Sequence, residues 1–362
     1  MTIKSTLAPS RRSPGNQRGQ SLKSMGTTDV MLRIEDNFDR WDRDNSGHIT
    51  WSEMRKNVAD PDITGRDAAA LATLYSLNGQ MMSERELVRR PSIHKHDVAN
   101  MRSDYLHSEE APLADHFYNK YLGKLENASE ELFTDAIPNG FHGAQGSAPS
   151  CGFLAATFAQ ARKDPRVIQE AITEREDGKV EVKFPGLKKP VVINPTTDTE
   201  TALFATSSEN GTWLNTLEKA WGTHQTKTPN AAFEQSTWPE EAIQAWTNGK
   251  VKTTRIPKTL KNYKMGETPH FLKSTQKELA SNHLIITWTK FEGLSKDGLV
   301  PGHAYTLSGF DQDNGTVELR NPWGNFEPQE DGEALDGRND GIFELTIPEF
   351  QKNFGHIARQ TD

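Results

Sequence analysis

Cys151 is the only cysteine among 362 residues, so any thiol chemistry in this chain has a single candidate. One cysteine forms no internal disulfide and supplies no zinc cluster built on several thiolates. It follows Gln145-Gly146-Ser147-Ala148-Pro149-Ser150 and precedes Gly152-Phe153-Leu154-Ala155-Ala156, a turn-rich loop predicted to feed a helix. A sulfur at a helix N-terminus lies among unpaired backbone N–H groups and the positive end of the macrodipole, which favour the thiolate and lower the thiol pKa. That is what a nucleophile needs. Gln145 stands upstream, where its side-chain amide can donate to the oxyanion of an acyl-transfer intermediate beside the Cys151 N–H. A cysteine taken alone is more often an inert buried residue, so its partners decide.

Those partners are His303, in Gly302-His303-Ala304-Tyr305-Thr306-Leu307, and Asn321, in Leu319-Arg320-Asn321-Pro322-Trp323-Gly324. Between them Asp311-Gln312-Asp313-Asn314-Gly315 predicts a hairpin turn. Folding back there brings His303 and Asn321 opposite one another to within about two residues. An imidazole held by a side-chain amide can take a thiol proton and keep its orientation, the Cys-His-Asn arrangement of a papain-type protease.

A second chemistry is written in residues 42–53, Asp-Arg-Asp-Asn-Ser-Gly-His-Ile-Thr-Trp-Ser-Glu. Oxygen side chains fall at Asp42, Asp44, Ser46 and Thr50, Gly47 allows a sharp turn, the carbonyl of His48 can face an ion, and Glu53 can close the site with two oxygens. This is the pattern of an EF-hand loop for Ca2+, a hard cation that takes six to eight oxygen ligands. Phe38 and Trp41 before the loop, and Met54 and Val58 after it, mark the flanking helices; Asp62 to about Asn100 is expected to be a degenerate partner.

The elements that must position these groups change character along the chain. Residues 1–28 carry Lys4, Arg11, Arg12, Arg18 and Lys23 with no acid and no apolar periodicity, which predicts a disordered basic tail, with an export or organelle address as the other use of such a segment. Residues 29–105 have helical periodicity, for instance at Leu71, Leu74 and Tyr75, and are expected to form a small EF-hand-like domain. Within that span, Arg89-Arg90-Pro91-Ser92 matches a basic-directed kinase site by pattern alone. Residues 110–362 mix helices, one starting near Cys151 and one through Trp213, Leu217 and Trp221, with strands at 284–288, 303–310, 316–320 and 342–347. Helices first and strands later predict an α+β class with two lobes. Trp213 and Trp221 are expected in the core. No run approaches the length of a membrane-spanning helix, the net charge is −8, and no basic patch points to nucleic acid. A single cysteine also fits a reducing, cytoplasmic setting.

Gln145-Gly146…Cys151, Gly302-His303-Ala304-Tyr305, Arg320-Asn321-Pro322-Trp323-Gly324 and Asp340-Gly341-Ile342-Phe343 resemble, in order, the signatures of the calpain protease core, and Leu217-Glu218-Lys219-Ala220 resembles a fifth. The similarity covers roughly residues 130–355. It implies a papain-like two-lobed core, with Cys151 on a helical lobe as nucleophile and His303 and Asn321 on a β-rich lobe as base and orienting group. Gln145 would stand in the oxyanion hole, Trp323 over the His–Asn pair, and Gly302 where substrate backbone approaches. The implied activity is a calcium-linked intracellular cysteine endopeptidase making limited cuts in protein substrates; the alternative is a catalytically inactive calpain-like calcium-binding adaptor. The pattern departs from the family beside the nucleophile, where Ser150 and Gly152 replace Asp and Trp; loss of the Trp is expected to loosen the S1′ side and the packing of the helix start. Among the family's core calcium ligands Glu327 and Asp340 match, Arg338 and Ile342 replace two others, and His142 stands where a second site has Asp.

Overall fold

The computed structural model describes residues 27–80, 92–106, 113–129, 131–134, 138, 143–207, 210–227, 237–260, 263–330, 333–334 and 336–361. The expected basic tail falls almost wholly outside the described residues, as do Arg89, Arg90 and Pro91 of the kinase-like string and His142.

The first helix, Thr27–Trp41, places Met31, Ile34, Phe38 and Trp41 along one stripe at helical spacing, and all four are fully buried. Burying side chains of this size contributes about 1.5–3 kcal/mol each. Helix Trp51–Val58 follows, started by a capping box in which Thr50 and Glu53 satisfy each other's backbone N–H groups. A second pair of helices, Gly65–Gln80 and Lys95–Leu106, completes the helical region. The two pairs are tied by a short antiparallel ladder, His48 opposite His94 and Ile49 opposite Ile93.

This core does not stop near residue 105. Tyr118 and Tyr121 of helix Leu113–Glu126 belong to it, as do Leu203 and Phe204 at the end of helix Asp198–Leu203. Two further bonds bind the regions: Gly65 N–H donates to Asp198 (2.8 Å) and the Thr197 hydroxyl to the carbonyl of Val58 (2.6 Å). The helical region therefore packs directly against the residues that follow it.

The β-rich part is a six-stranded sheet in the order Ile342–Thr346, Thr316–Arg320, Ala304–Asp311, Ile285–Thr289, Phe354–Thr361, Lys250–Arg255, antiparallel throughout. Side chains alternate across it. From Ala304–Asp311, Ala304 and Thr306 face the helix Cys151–Lys163, with the Thr306 hydroxyl donating to the carbonyl of Ala155 (2.7 Å). Tyr305 and Leu307 face the opposite core, under helices His270–Ala280 and Ile347–Asn353. Trp213, Trp221 and Trp246 pack with Phe153 and Phe184 beneath the cysteine helix, the first two as expected from their spacing. A small antiparallel sheet of Ile172–Glu174, Val180–Val182 and Val191–Ile193 flanks them. The result is a mixed α/β molecule in which the cysteine helix lies against the strand that begins one residue after His303.

Candidate active site

The hairpin between Ala304–Asp311 and Thr316–Arg320 pairs Thr306 with Arg320 and carries an irregularity between Leu307 and Gly309. That register brings His303 and Asn321 together, and the imidazole Nε2 lies 2.9 Å from Asn321 Oδ1. The orientation of Asn321 is fixed on both sides. Its Nδ2 donates to the carbonyl of Phe326 (2.7 Å), while Oδ1 also accepts the Trp323 N–H (3.0 Å). With Oδ1 accepting, Nε2 must carry the imidazole proton, so in the neutral ring Nδ1 holds the lone pair and can act as a base. His303 is nearly buried; Trp323 covers it at 5.0 Å between ring centroids, and Tyr305 meets its edge at the same distance. Burial pushes the imidazole pKa down to about 4, against the smaller opposing pull of the Asn321 bond.

Cys151 opens its helix as the loop pattern predicted. Three backbone N–H groups, of Ala304, Gly152 and Cys151 itself, face the sulfur and favour the thiolate, yet burial outweighs them and the thiol pKa is raised. This corrects the expectation of a lowered value: the helix terminus supplies donors, but the site it opens into is largely closed to water. The Ala304 contact sets Cys151 beside the residue that follows His303. Gln145 is bound to the same centre. Its N–H donates to the carbonyl of Pro322 (2.8 Å), and one side-chain amide hydrogen goes to the carbonyl of Ala148 (2.7 Å), leaving the other. Gly302 has φ +63°, the left-handed region, and an added Cβ would press on the Phe291 ring.

A thiol at a helix start, an imidazole one residue from its neighbour, and an amide locking that imidazole form the set for nucleophilic acyl transfer. Residues 125–334 match the family described as calpain family cysteine protease. The chain belongs to that family. It is also similar to calpain-14 of Homo sapiens, 29% identical over 247 residues, which is 58% of this chain and 34% of calpain-14. The chain therefore spans about a third of that relative's length.

Within this calpain-family core the departures beside Cys151 acquire partners. The Ser150 hydroxyl shares a short hydrogen bond with Glu218, whose other oxygen accepts the Ala205 N–H (2.6 Å). Burial raises the Glu218 carboxyl to about 7, and burial likewise lowers Lys124, whose Nζ donates to the carbonyls of Ala202 (2.8 Å) and Phe204, to about 7. Next in sequence, Lys219 donates to Glu200 (2.7 Å), which completes the capping box at Thr197. The Leu217-Glu218-Lys219-Ala220 segment thus braces the loop before Cys151 with one side chain and a neighbouring helix with the next. At Gly152 the Thr237 carbonyl would lie 2.2 Å from a Cβ. The missing side chain is the condition for a close backbone approach, so the helix start is closely packed rather than loosened. Neither the Thr237 contact nor the Glu218 brace was visible in sequence, because their partners are far along the chain.

In the loop at 42–53 the carboxylates of Asp42, Asp44 and Glu53 offer oxygens all within 4.8 Å of one another. Asp42 accepts the N–H groups of Ser46 (3.0 Å) and Gly47 (2.7 Å), Gly47 has φ +83°, and the Ser46 hydroxyl lies 3.1 Å from the carbonyl of His48. Thr50 and Glu53 are also joined by the capping box. Glu327 and Asp340 form a second convergence, with Asp336, which sequence reasoning missed; Arg338 is exposed and turns its N–H to Asp336 (2.8 Å). One Glu327 oxygen accepts the Gly341 N–H (3.3 Å), while the other is buried and unpartnered, and burial with the two neighbouring carboxylates raises its pKa to about 7. No helix among the described residues is long and apolar enough to cross a membrane.

Proposed function

We propose that the chain is a cysteine endopeptidase making limited cuts in proteins, with Cys151 as nucleophile, His303 as base and acid, and Asn321 as the orienting group. The observation that carries this reading is the His303–Asn321 bond, which leaves Nδ1 as the basic nitrogen beside the residue whose N–H faces the Cys151 sulfur. The thiol proton passes to Nδ1 as sulfur attacks the peptide carbonyl. The resulting oxyanion is held by the Cys151 N–H and the free amide hydrogen of Gln145. His303 then gives its proton to the departing amine, leaving a thioester. Water, losing a proton to the same nitrogen, releases the acid and restores the thiol. Gly302 admits the substrate backbone, and Trp323 shields the His–Asn pair from water.

The donor set of Asp42, Asp44, Ser46, the carbonyl of His48, Thr50 and Glu53 fits Ca2+ in oxygen type and convergence. Bound there, the ion supplies rigidity to an EF-hand whose exit helix is tied at Val58 to Thr197; it does no chemistry on the substrate. Glu327, Asp336 and Asp340 are a second oxygen cluster of suitable donor type, and the orphaned Glu327 oxygen favours a cation there. Cleavage of casein by the purified chain, lost in Cys151→Ala, tests the protease reading. Partner capture that depends on calcium and survives that substitution, without cleavage by the wild type, would instead establish the adaptor.

A further inference from the structure

On the sheet face opposite the cysteine helix, helix His270–Ala280 and the strands Lys250–Arg255 and Phe354–Thr361 border a cleft of roughly 670 Å³. Lys252, Arg255, Lys273 and Arg359 line it, with Glu267 the one carboxylate among the described lining residues. Arg359 and Lys252 stand directly opposite in the antiparallel register. Side chains so paired share a face, with Cβ atoms about 5 Å apart, where like charges repel. Arg359 is nevertheless only 3% exposed. One terminal nitrogen donates to the Thr254 hydroxyl (2.6 Å), and its Nε is buried without an acceptor.

Buried guanidinium groups are ordinarily paired with an anion. Among the described residues, none of these four cations forms an ion pair. Glu278 is close enough to attract Arg359, but one of its oxygens is bound to His283 (2.6 Å). A further donor set opens on the same cleft. Pro269 precedes the helix, no side chain caps it, and its first residues, His270 and Phe271, line the cavity with Lys273. Uncapped N–H groups at the positive end of a helix attract oxyanions.

We propose that this cleft binds a phosphate group, with Arg359 as the buried anchor, Lys252 across the strand pair and Lys273 with the start of helix His270–Ala280 completing the donors. The phosphate is carried either by a soluble polyanion or by a lipid headgroup, and both present the same oxygens to the same side chains. The sheet separates this cleft from the cysteine helix, so binding here is distinct from peptide recognition at Cys151.

The test uses the full chain. Inorganic phosphate and tripolyphosphate are titrated by calorimetry and thermal melting against chloride at matched ionic strength. Phosphatidylcholine vesicles with and without a phosphoinositide are cosedimented in parallel. Saturable binding beyond the chloride control is expected, weakened about tenfold or more in Arg359→Gln, since charge-assisted bonds are the strong ones. Lys252→Gln and Lys273→Gln, both at exposed positions, carry the test if Arg359→Gln fails to fold. Vesicle binding competed by tripolyphosphate identifies a headgroup, and soluble binding alone identifies a free polyanion; either supports the proposal. Stabilisation no greater than that of chloride, or affinity unchanged in both lysine variants, overturns it.

Discussion

Replacing Glu218 by Gln tests the brace behind Cys151. The Glu218 carboxyl is fully enclosed, and burial raises it from its ordinary 4.5 to about 7, even after the Ser150 and Ala205 bonds and the pull of Lys124. A carboxyl raised on folding contributes stability that is complete below pH 4.5 and is lost as pH rises through about 7, because the folded state holds a proton the unfolded state releases. At about 1.4 kcal/mol per pH decade, the loss reaches about 3 kcal/mol above pH 8. Gln reproduces the protonated form: its amide can donate to the Ser150 hydroxyl while its oxygen accepts the Ala205 N–H. Urea unfolding of both proteins from pH 5 to 9 should therefore give equal stabilities near pH 5 and a Glu218→Gln advantage growing to about 3 kcal/mol. Glu218→Ala, which leaves the Ala205 N–H unpaired beside a cavity, should cost about 3 kcal/mol near pH 5. Stability curves of wild type and Glu218→Gln that run parallel across the range would refute the raised carboxyl and the brace built on it.

Two other expectations are simpler. Asn321→Ala removes the acceptor that fixes the His303 ring and should lower kcat/KM for a peptide substrate about 10- to 100-fold while labelling of Cys151 persists, measured by steady-state kinetics. Glu53→Gln removes a charged oxygen from the 42–53 cluster and should abolish the rise in Tm that calcium produces in the wild type; equal calcium-dependent shifts in the two proteins would show that the ion does not bind there.

Cys151, His303 and Asn321 were legible because each sits in a short local pattern and a hairpin turn joins two of them. The register observed, Thr306 opposite Arg320, lies within the range the turn allowed. The thiol pKa was not legible: a helix N-terminus can be recognised in sequence, but the burial that overrides it is tertiary. Strand Lys250–Arg255 escaped notice because an edge strand of Lys, Thr and Arg has no apolar face, and Phe354–Thr361 because its apolar residues are few. The Leu217-Glu218-Lys219-Ala220 segment was noticed without a purpose, which appears only when Ser150, Ala205 and Glu200 come to meet it. Gly152 was misjudged for the same reason, since the Thr237 carbonyl that needs its bare backbone lies far along the chain.

The most direct test of the proposed protease is labelling with a peptide epoxide that alkylates an activated thiol, followed by peptide mapping, in wild type, Cys151→Ala and His303→Ala, with and without calcium. Modification confined to Cys151, strongly reduced in His303→Ala and accompanied by casein cleavage in the wild type alone, is the predicted result. A folded wild type that neither labels nor cleaves in either condition, or that labels equally fast without His303, would contradict it.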